Sequence, residues 1–195
     1  MTQVDCIITA AGLSTRMGQW KMILPWQGGT ILDASIKNAQ RFCSHIILVT
    51  GFRHEELEAH YSAMQGITLV YNPDYRQGLF SSVRAATQAL RHQYCFITHG
   101  DLPCLTDAIF NTLWLQRFNG ALLPEYQGTP GHPILVERHT LLDSLRQCDD
   151  KSVRQCLLAN THQRIVLDSP QIIFDIDTPN DFIRLQHKGN NTQPS

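Results

Sequence analysis

Apolar runs of four to six residues alternate with segments of helical periodicity over the first two-thirds of the chain, and few folds accept that order. Each apolar run reads as a buried strand, and each periodic segment as the crossover returning the chain to the same edge. The pattern therefore predicts βαβ units, an α/β class and a mostly parallel central sheet. Strands are expected near residues 4–10, 45–50, 67–71 and 94–98. Thr30-x-x-Asp33 opens the first helix with a capping-box pattern, and "ILDASIKNAQRF" continues it. Residues 53–64 and 79–92 read as the next two helices. Beyond Asp101 the order loosens. Helices are expected over 106–117, 137–147, 152–160 and 179–186, with extended segments at "GALLP", after "EYQGTPG", and at "RIVLD" and "IIFDI". No linker or repeat interrupts the pattern, so one domain is expected over residues 1–187, followed by a disordered tail at 188–195.

Charge narrows the partners. Sixteen Lys plus Arg face seventeen Asp plus Glu, a balance that offers neither a basic nucleic-acid surface nor an acidic tail. Apolar stretches such as "HIILVTGF" fall far short of the roughly 20 residues that cross a bilayer, and "MTQVDC" lacks the layout of a signal peptide. A cytoplasmic protein with no membrane and no nucleic-acid partner is expected. Its six cysteines are scattered singly without a C-x-x-C pair, and are expected to be small buried residues kept reduced. Cys104 stands apart, since it lies beside Asp101.

The stretch "TAAGLSTRMGQWK" follows directly on the first apolar run. A strand that ends in small residues and a glycine-containing loop presents backbone N–H groups as an anion nest. Gly12 and Gly18 let the main chain approach an anion; Arg16 can fork onto phosphate oxygens, and Lys21 supplies a mobile point charge. The spacing fits neither a Walker loop nor the G-x-G-x-x-G fingerprint.

Acidic residues fall where such a loop would need them. "YCFITHGDLPCL" runs an apolar strand into Gly100-Asp101, at the carboxyl edge where open α/β sheets bind ligands. Asp101 can hold a hard divalent cation there. "FDIDTPNDF" sets Asp175 and Asp177 two apart, so both would project from one side of an extended segment, and either could be the second metal ligand. Asp177 could also cap the last helix, which favours Asp175 for the metal, while Asp181 complements the helix dipole. "YNPDYRQGLFSSVRAA" joins strand to helix through turn signals and leaves Ser81 and Ser82 at the helix start, where Ser81 reads first as an N-cap. In "GTPGHPIL", His132 is held between Gly131 and Pro133 and can donate to phosphate. His99 reads as a support for the strand end.

Together these motifs carry a resemblance. "TAAGLSTRMGQWKMILPWQGGTIL" resembles the signature loop of the MocA-like and MobA-like nucleotidyltransferases, the molybdenum cofactor cytidylyl- and guanylyltransferases, with Gly-Asp-x-Pro, G-H-P and D-x-D-T-P-x-D following in order. The resemblance implies a Rossmann-like three-layer nucleotidyltransferase fold of GT-A type. It implies phosphate roles for Gly12, Ser14, Arg16 and Lys21, a base and ribose site near Gly78, Ser81 and Ser82, and a pterin-phosphate role for His132. It also implies magnesium, with manganese as an alternative, on Asp101 and Asp175 or Asp177. Ala11, where guanylyl relatives carry glycine, and Leu24-Pro25-Trp26 point to the cytidylyl branch. The implied reaction moves CMP from CTP to Mo-molybdopterin, giving the molybdopterin cytosine dinucleotide and pyrophosphate, with transient contact to a client molybdoenzyme. Guanylylation or another NTP transfer, and a non-catalytic pterin-cofactor chaperone, are the alternatives. "CDDKSVRQCL" departs from the family's G-D-x-G-[AV]-R element while keeping Arg154, which leaves the acceptor less constrained than the nucleotide chemistry.

Overall fold

A computed structural model describes residues 1–148 and 152–190. In chain order the elements are β1 (Thr2–Thr9), β2 (Pro25–Trp26), β3 (Gly29–Thr30), α1 (Ile31–Gln40), β4 (Cys43–Thr50), α2 (His54–Tyr61), β5 (Ile67–Tyr71), α3 (Leu79–Ala86), β6 (Tyr94–His99), α4 (Asp107–Leu115), β7 (Ala121–Tyr126), β8 (Thr129–Pro130), β9 (Ile134–Glu137), α5 (Arg138–Arg146), α6 (Val153–Leu158), β10 (His162–Val166) and α7 (Pro179–Asn190). The main sheet runs β10-β7-β9-β6-β1-β4-β5, with β8 on β7. Pairings are parallel from β6 through β1 and β4 to β5, and again between β7 and β10, whereas β9 runs antiparallel to both neighbours. This is the mostly parallel α/β nucleotidyltransferase architecture the sequence implies.

β1 is central and has no exposed face, which is why it reads as a continuous apolar run rather than an alternating one. Val4, Cys6 and Ile8 pack beneath α1, α2 and α4, against Leu32, Ile36, Leu57, Phe110 and Leu113. Ile7 points the other way, into a layer closed by Val83 of α3, Leu141 of α5 and Leu157 of α6. All three layers follow from that two-sided burial. The Thr30 capping box on α1 forms as expected: the Asp33 N–H donates to Thr30 Oγ1 at 3.0 Å, and the Thr30 N–H donates to Asp33 Oδ2 at 2.8 Å.

Differences gather in the second half. "IIFDI" is not a strand: residues Pro170–Ile173 form a 3-10 turn, and the segment is tied to the sheet edge by the Ile176 N–H donating to the Asp101 carbonyl at 3.1 Å. The last helix is capped by Thr178, whose Oγ1 accepts from the Asp181 N–H, so Asp177 is released from the capping role. Ser81 is not an N-cap either; α3 begins after Gly78, and Ser81 lies inside it. The third helix is shorter than its apolar pattern, with a 3-10 turn over Thr87–Ala89. α7 continues through Asn190, and residues 191–195 of the expected tail lie outside the described residues.

The cysteine expectation is overturned at one pair. Cys148 and Cys156 form a disulfide with a Cα–Cα separation of 5.9 Å. Their spacing matches no familiar motif, because the end of α5 folding back on α6 brings them together. Cys6, Cys43 and Cys95 are free and buried, and Cys104 is half-buried, with burial raising its thiol pKa and Lys188 working against that. Among the described residues, no helix is long and apolar enough to cross a membrane.

Candidate active site

β1 ends between β4 and β6, and its backbone is continued beyond the strand by three bonds: the Ala10 N–H to the Val49 carbonyl, the Gly100 N–H to the Thr9 carbonyl and the Phe52 N–H to the Ala11 carbonyl. A cleft of about 210 Å³ opens over this edge, lined among others by Thr9, Ala11, Gly12, Lys21, Ser82, His99 and Asp101. The loop leaving β1 makes one 3-10 turn (Thr15–Met17) and reverses at Gly18, whose φ of +67° lies where side chains are strained. Ser14 closes it by accepting the Lys21 N–H at 3.2 Å. Met17 anchors it in a small core with Ile176 and Leu185, which is how the N-terminal loop meets the C-terminal aspartates.

Lys21 Nζ sits between two carboxylates, paired with Asp101 Oδ2 and, at 2.7 Å, with Asp177 Oδ1. Arg16 Nη2 holds the other Asp177 oxygen at 2.7 Å. Burial opposes the Lys21 charge, but Asp101 and Asp177 outweigh it and raise its pKa. Burial likewise opposes the Asp177 charge, and Lys21 and Arg16 pull its pKa down. Among the described residues no cation pairs with Asp175: burial, then Asp177 and Asp101, push it up to about 6.

Asp101 Oδ1 is buried and has no hydrogen-bond partner among the described residues. A buried carboxylate oxygen is costly in that state. An unpaired Asp101 oxygen beside a destabilised Asp175 carboxylate makes an oxygen-only donor set, which suits a hard divalent ion such as magnesium or manganese.

The base-side expectations divide. Gly78 takes φ +95°, a conformation reserved in practice for glycine, and lines the cleft with Ser82. Ser81 is committed to the loop, donating toward the Gly78 and Asp74 carbonyls at 2.8 and 3.0 Å. Asn72, which sequence reasoning passed over as a turn signal, is the organiser: fully interior, it donates to both Ser81 Oγ and Ser82 Oγ, at 2.9 and 3.0 Å.

The two histidines exchange places. His132 is absent from the cleft lining, where His99 stands. Burial chiefly, with the nearby Lys21 charge, lowers the His99 pKa to about 4, and burial lowers His132 as well, so both rings are neutral. Their tautomers then follow from the bonds. The Ile97 carbonyl can only accept, so His132 Nδ1 carries a proton and donates to it at 3.2 Å. His132 Nε2 therefore accepts from His99 Nε2–H at 3.0 Å, and His99 Nδ1 accepts from the Thr9 hydroxyl at 2.8 Å. Neither ring keeps a free N–H. A usable sequence signal existed, for His99 lies two residues before Asp101 at the same strand end.

Residues 6–165 match the model of the MobA-like NTP transferase domain. The chain belongs to the MobA-like NTP transferases. It is 53% identical over 188 residues to the molybdenum cofactor cytidylyltransferase of Escherichia coli, covering 96% of this chain and 98% of that protein. A probable molybdenum cofactor guanylyltransferase of Bacillus cytotoxicus is 24% identical over 65% of this chain and 61% of its own length. Among solved structures, a nucleotidyl transferase from Methanothermobacter superposes with a TM-score of 0.84 at 19% identity, covering 99% of this chain and all of that one. A Mycobacterium tuberculosis protein solved in complex with manganese gives 0.74 at 22%, covering 95% and 99%. At those identities the two structures speak for the nucleotidyltransferase fold alone.

Proposed function

We propose that this MobA-like enzyme transfers CMP from CTP to Mo-molybdopterin, releasing pyrophosphate. One observation carries the reading: Lys21 and Arg16 of the glycine loop meet Asp101 and Asp177, from distant parts of the sequence, at a single strand edge. The identity to the Escherichia coli cytidylyltransferase supports the acceptor and the base.

In the reaction an oxygen of the cofactor's terminal phosphate attacks the α-phosphorus of CTP, and the bond to the pyrophosphate oxygen breaks. That nucleophile is already ionised at neutral pH, so no base is needed. The histidine pair fits this requirement, because both of its rings are neutral and their N–H groups are spent internally. Lys21 and Arg16 are the cations available to the phosphates, exchanging part of their present pairing with Asp177 for the triphosphate. A magnesium or manganese ion on Asp101 and Asp175, with Asp177 beside them, would neutralise charge on the reacting phosphates. Gly12 and Gly18 admit the phosphates to the main chain, and Ser14 keeps the loop closed.

Ala11 favours cytosine over guanine. Its side chain is buried in the cleft wall close to Gly51, and its methyl group would narrow the space open to a larger base. On this reading the protein works in the cytoplasm and passes the dinucleotide to a client molybdoenzyme by transient contact. The test is incubation of purified protein with magnesium, loaded cofactor and each nucleoside triphosphate in turn. Formation of the cytosine dinucleotide with matching pyrophosphate is expected; the guanine product would move the assignment to that branch. No pyrophosphate from any triphosphate would leave a binding protein.

A further inference from the structure

At the end of β1 away from the cleft, Asp5 is fully buried against two histidines. Parallel pairing sets Asp5 beside His45 of β4, and the turn before β6 brings His92 over both. His45 Nδ1 and His92 Nδ1 lie 2.7 and 2.9 Å from Asp5 Oδ1. Among the described residues this is the one group of three metal-competent side chains whose donor atoms all fall within 4.8 Å of one another.

We propose that Asp5, His45 and His92 form a second metal site, one that binds zinc or a similar borderline divalent ion. The donor chemistry selects the ion: two imidazole nitrogens and one carboxylate oxygen suit zinc and discriminate against magnesium.

What surrounds the three side chains supports a metal as well as a hydrogen-bonded cluster. Metal-bound imidazoles and carboxylates are usually steadied through their remaining polar atoms. Here Asp5 Oδ2 accepts the N–H groups of Arg91 and His92, both at 2.8 Å. His45 Nε2 meets Thr68 Oγ1 at 2.9 Å, and a hydroxyl can donate to that nitrogen or accept from it. The same partner therefore serves the metal-free and the metal-bound tautomer. Thr68 Oγ1 is itself fixed by Arg91 Nη2 at 3.1 Å.

The displacement needed is small. Zinc bonds of about 2.0–2.1 Å in tetrahedral geometry hold the donors roughly 3.4 Å apart, so the contacts at 2.7 and 2.9 Å open by about 0.7 and about 0.5 Å. At each ring the Nδ1 proton that faces Asp5 is lost to solvent and Nε2 takes one up, which leaves the Nδ1 lone pair to the ion. His92, whose side chain is 22% exposed, provides the entry side and room for a water as fourth ligand. Binding would staple β1, β4 and the start of β6 together without touching the cleft.

The test uses full-length protein stripped with a chelator, then given zinc or cobalt in excess magnesium so that oxygen donors elsewhere are already occupied. One equivalent of zinc retained through gel filtration, a higher melting temperature and a tetrahedral cobalt absorption are expected. His45→Gln and His92→Gln should each weaken zinc binding at least tenfold. Because either variant could fold poorly, the imidazole NMR signals of the unaltered protein give a second reading, and those of His45 and His92 should shift with the first equivalent. No retained zinc, uptake untouched by both substitutions, or unmoved His45 and His92 signals would each overturn the site.

Discussion

The two ends of β1 lie beside the same kind of residue in opposite conditions. At one end, burial alone would push Asp5 up, but hydrogen bonds from the His92 and Arg91 backbone and the His45 and His92 rings bring its pKa below 3.8. At the other, Asp175 is pushed up to about 6 by burial and by two neighbouring carboxylates. A lowered carboxylate adds stability at neutral pH that disappears as pH falls through its folded pKa. A raised one does the reverse, stabilising below 3.8 and losing that contribution as pH rises through about 6. One end of the strand thus strengthens the neutral-pH fold. The other weakens it where chemistry is to occur, a pattern that marks functional sites. The donors differ too, imidazole and carboxylate at the first end and oxygen alone at the second.

Lys21→Ala and Asp101→Ala should break the second end most severely. Each is expected to cut turnover by about 10²–10³-fold in a folded protein, read by steady-state pyrophosphate release with circular dichroism as the folding control. Near-normal turnover in either would detach the cleft from catalysis. Asp5→Asn should act on the first end, lowering unfolding free energy by about 3 kcal/mol in a denaturant titration, since it weakens a fully buried charge-assisted network. A change below about 0.5 kcal/mol, the level of an ordinary surface substitution, would make the two ends equivalent.

Ala11→Gly should sharpen the nucleotide side. Removing one methyl group is worth on the order of tenfold in the ratio of kcat/KM for CTP to that for GTP, toward GTP. An unchanged ratio would place base selection elsewhere in the wall. The smallest effect concerns pH. Magnesium should raise the melting temperature more at about pH 7.5 than at about pH 5, because Asp175 must lose its proton to contribute an oxygen; equal shifts would remove Asp175 from the ion.

The sequence spelled out the nucleotide half because its signals are local. The strand at β1, the Thr30 capping box and the glycine loop depend on neighbours within a few residues, and each forms as expected. The rest depends on partners far apart in the chain. "IIFDI" is apolar because Ile172, Phe174 and Ile176 plug into the body of the protein, and a run of that length cannot reveal whether it does so as a strand. Asn72 reads as a turn residue until α3 folds its serines over it. His132 reads as a phosphate donor because the G-H-P triplet says nothing about the Ile97 carbonyl that accepts its Nδ1–H. The acceptor-side stretch "CDDKSVRQCL" was visible only as motif, and its residues 149–151 lie outside the described residues.

The reversed strand β9 has one further consequence. Because it runs against its neighbours, its beginning, not its end, arrives at the cleft edge of the sheet, delivering Gly131 and His132 from the β7–β8 hairpin to a place behind His99. The support behind His99 is therefore hung on a ribbon that can lengthen or change residues while the register of β1, β4 and β6 stays fixed. Evolution could retune what this scaffold attaches a nucleotide to without relearning how to grip the triphosphate.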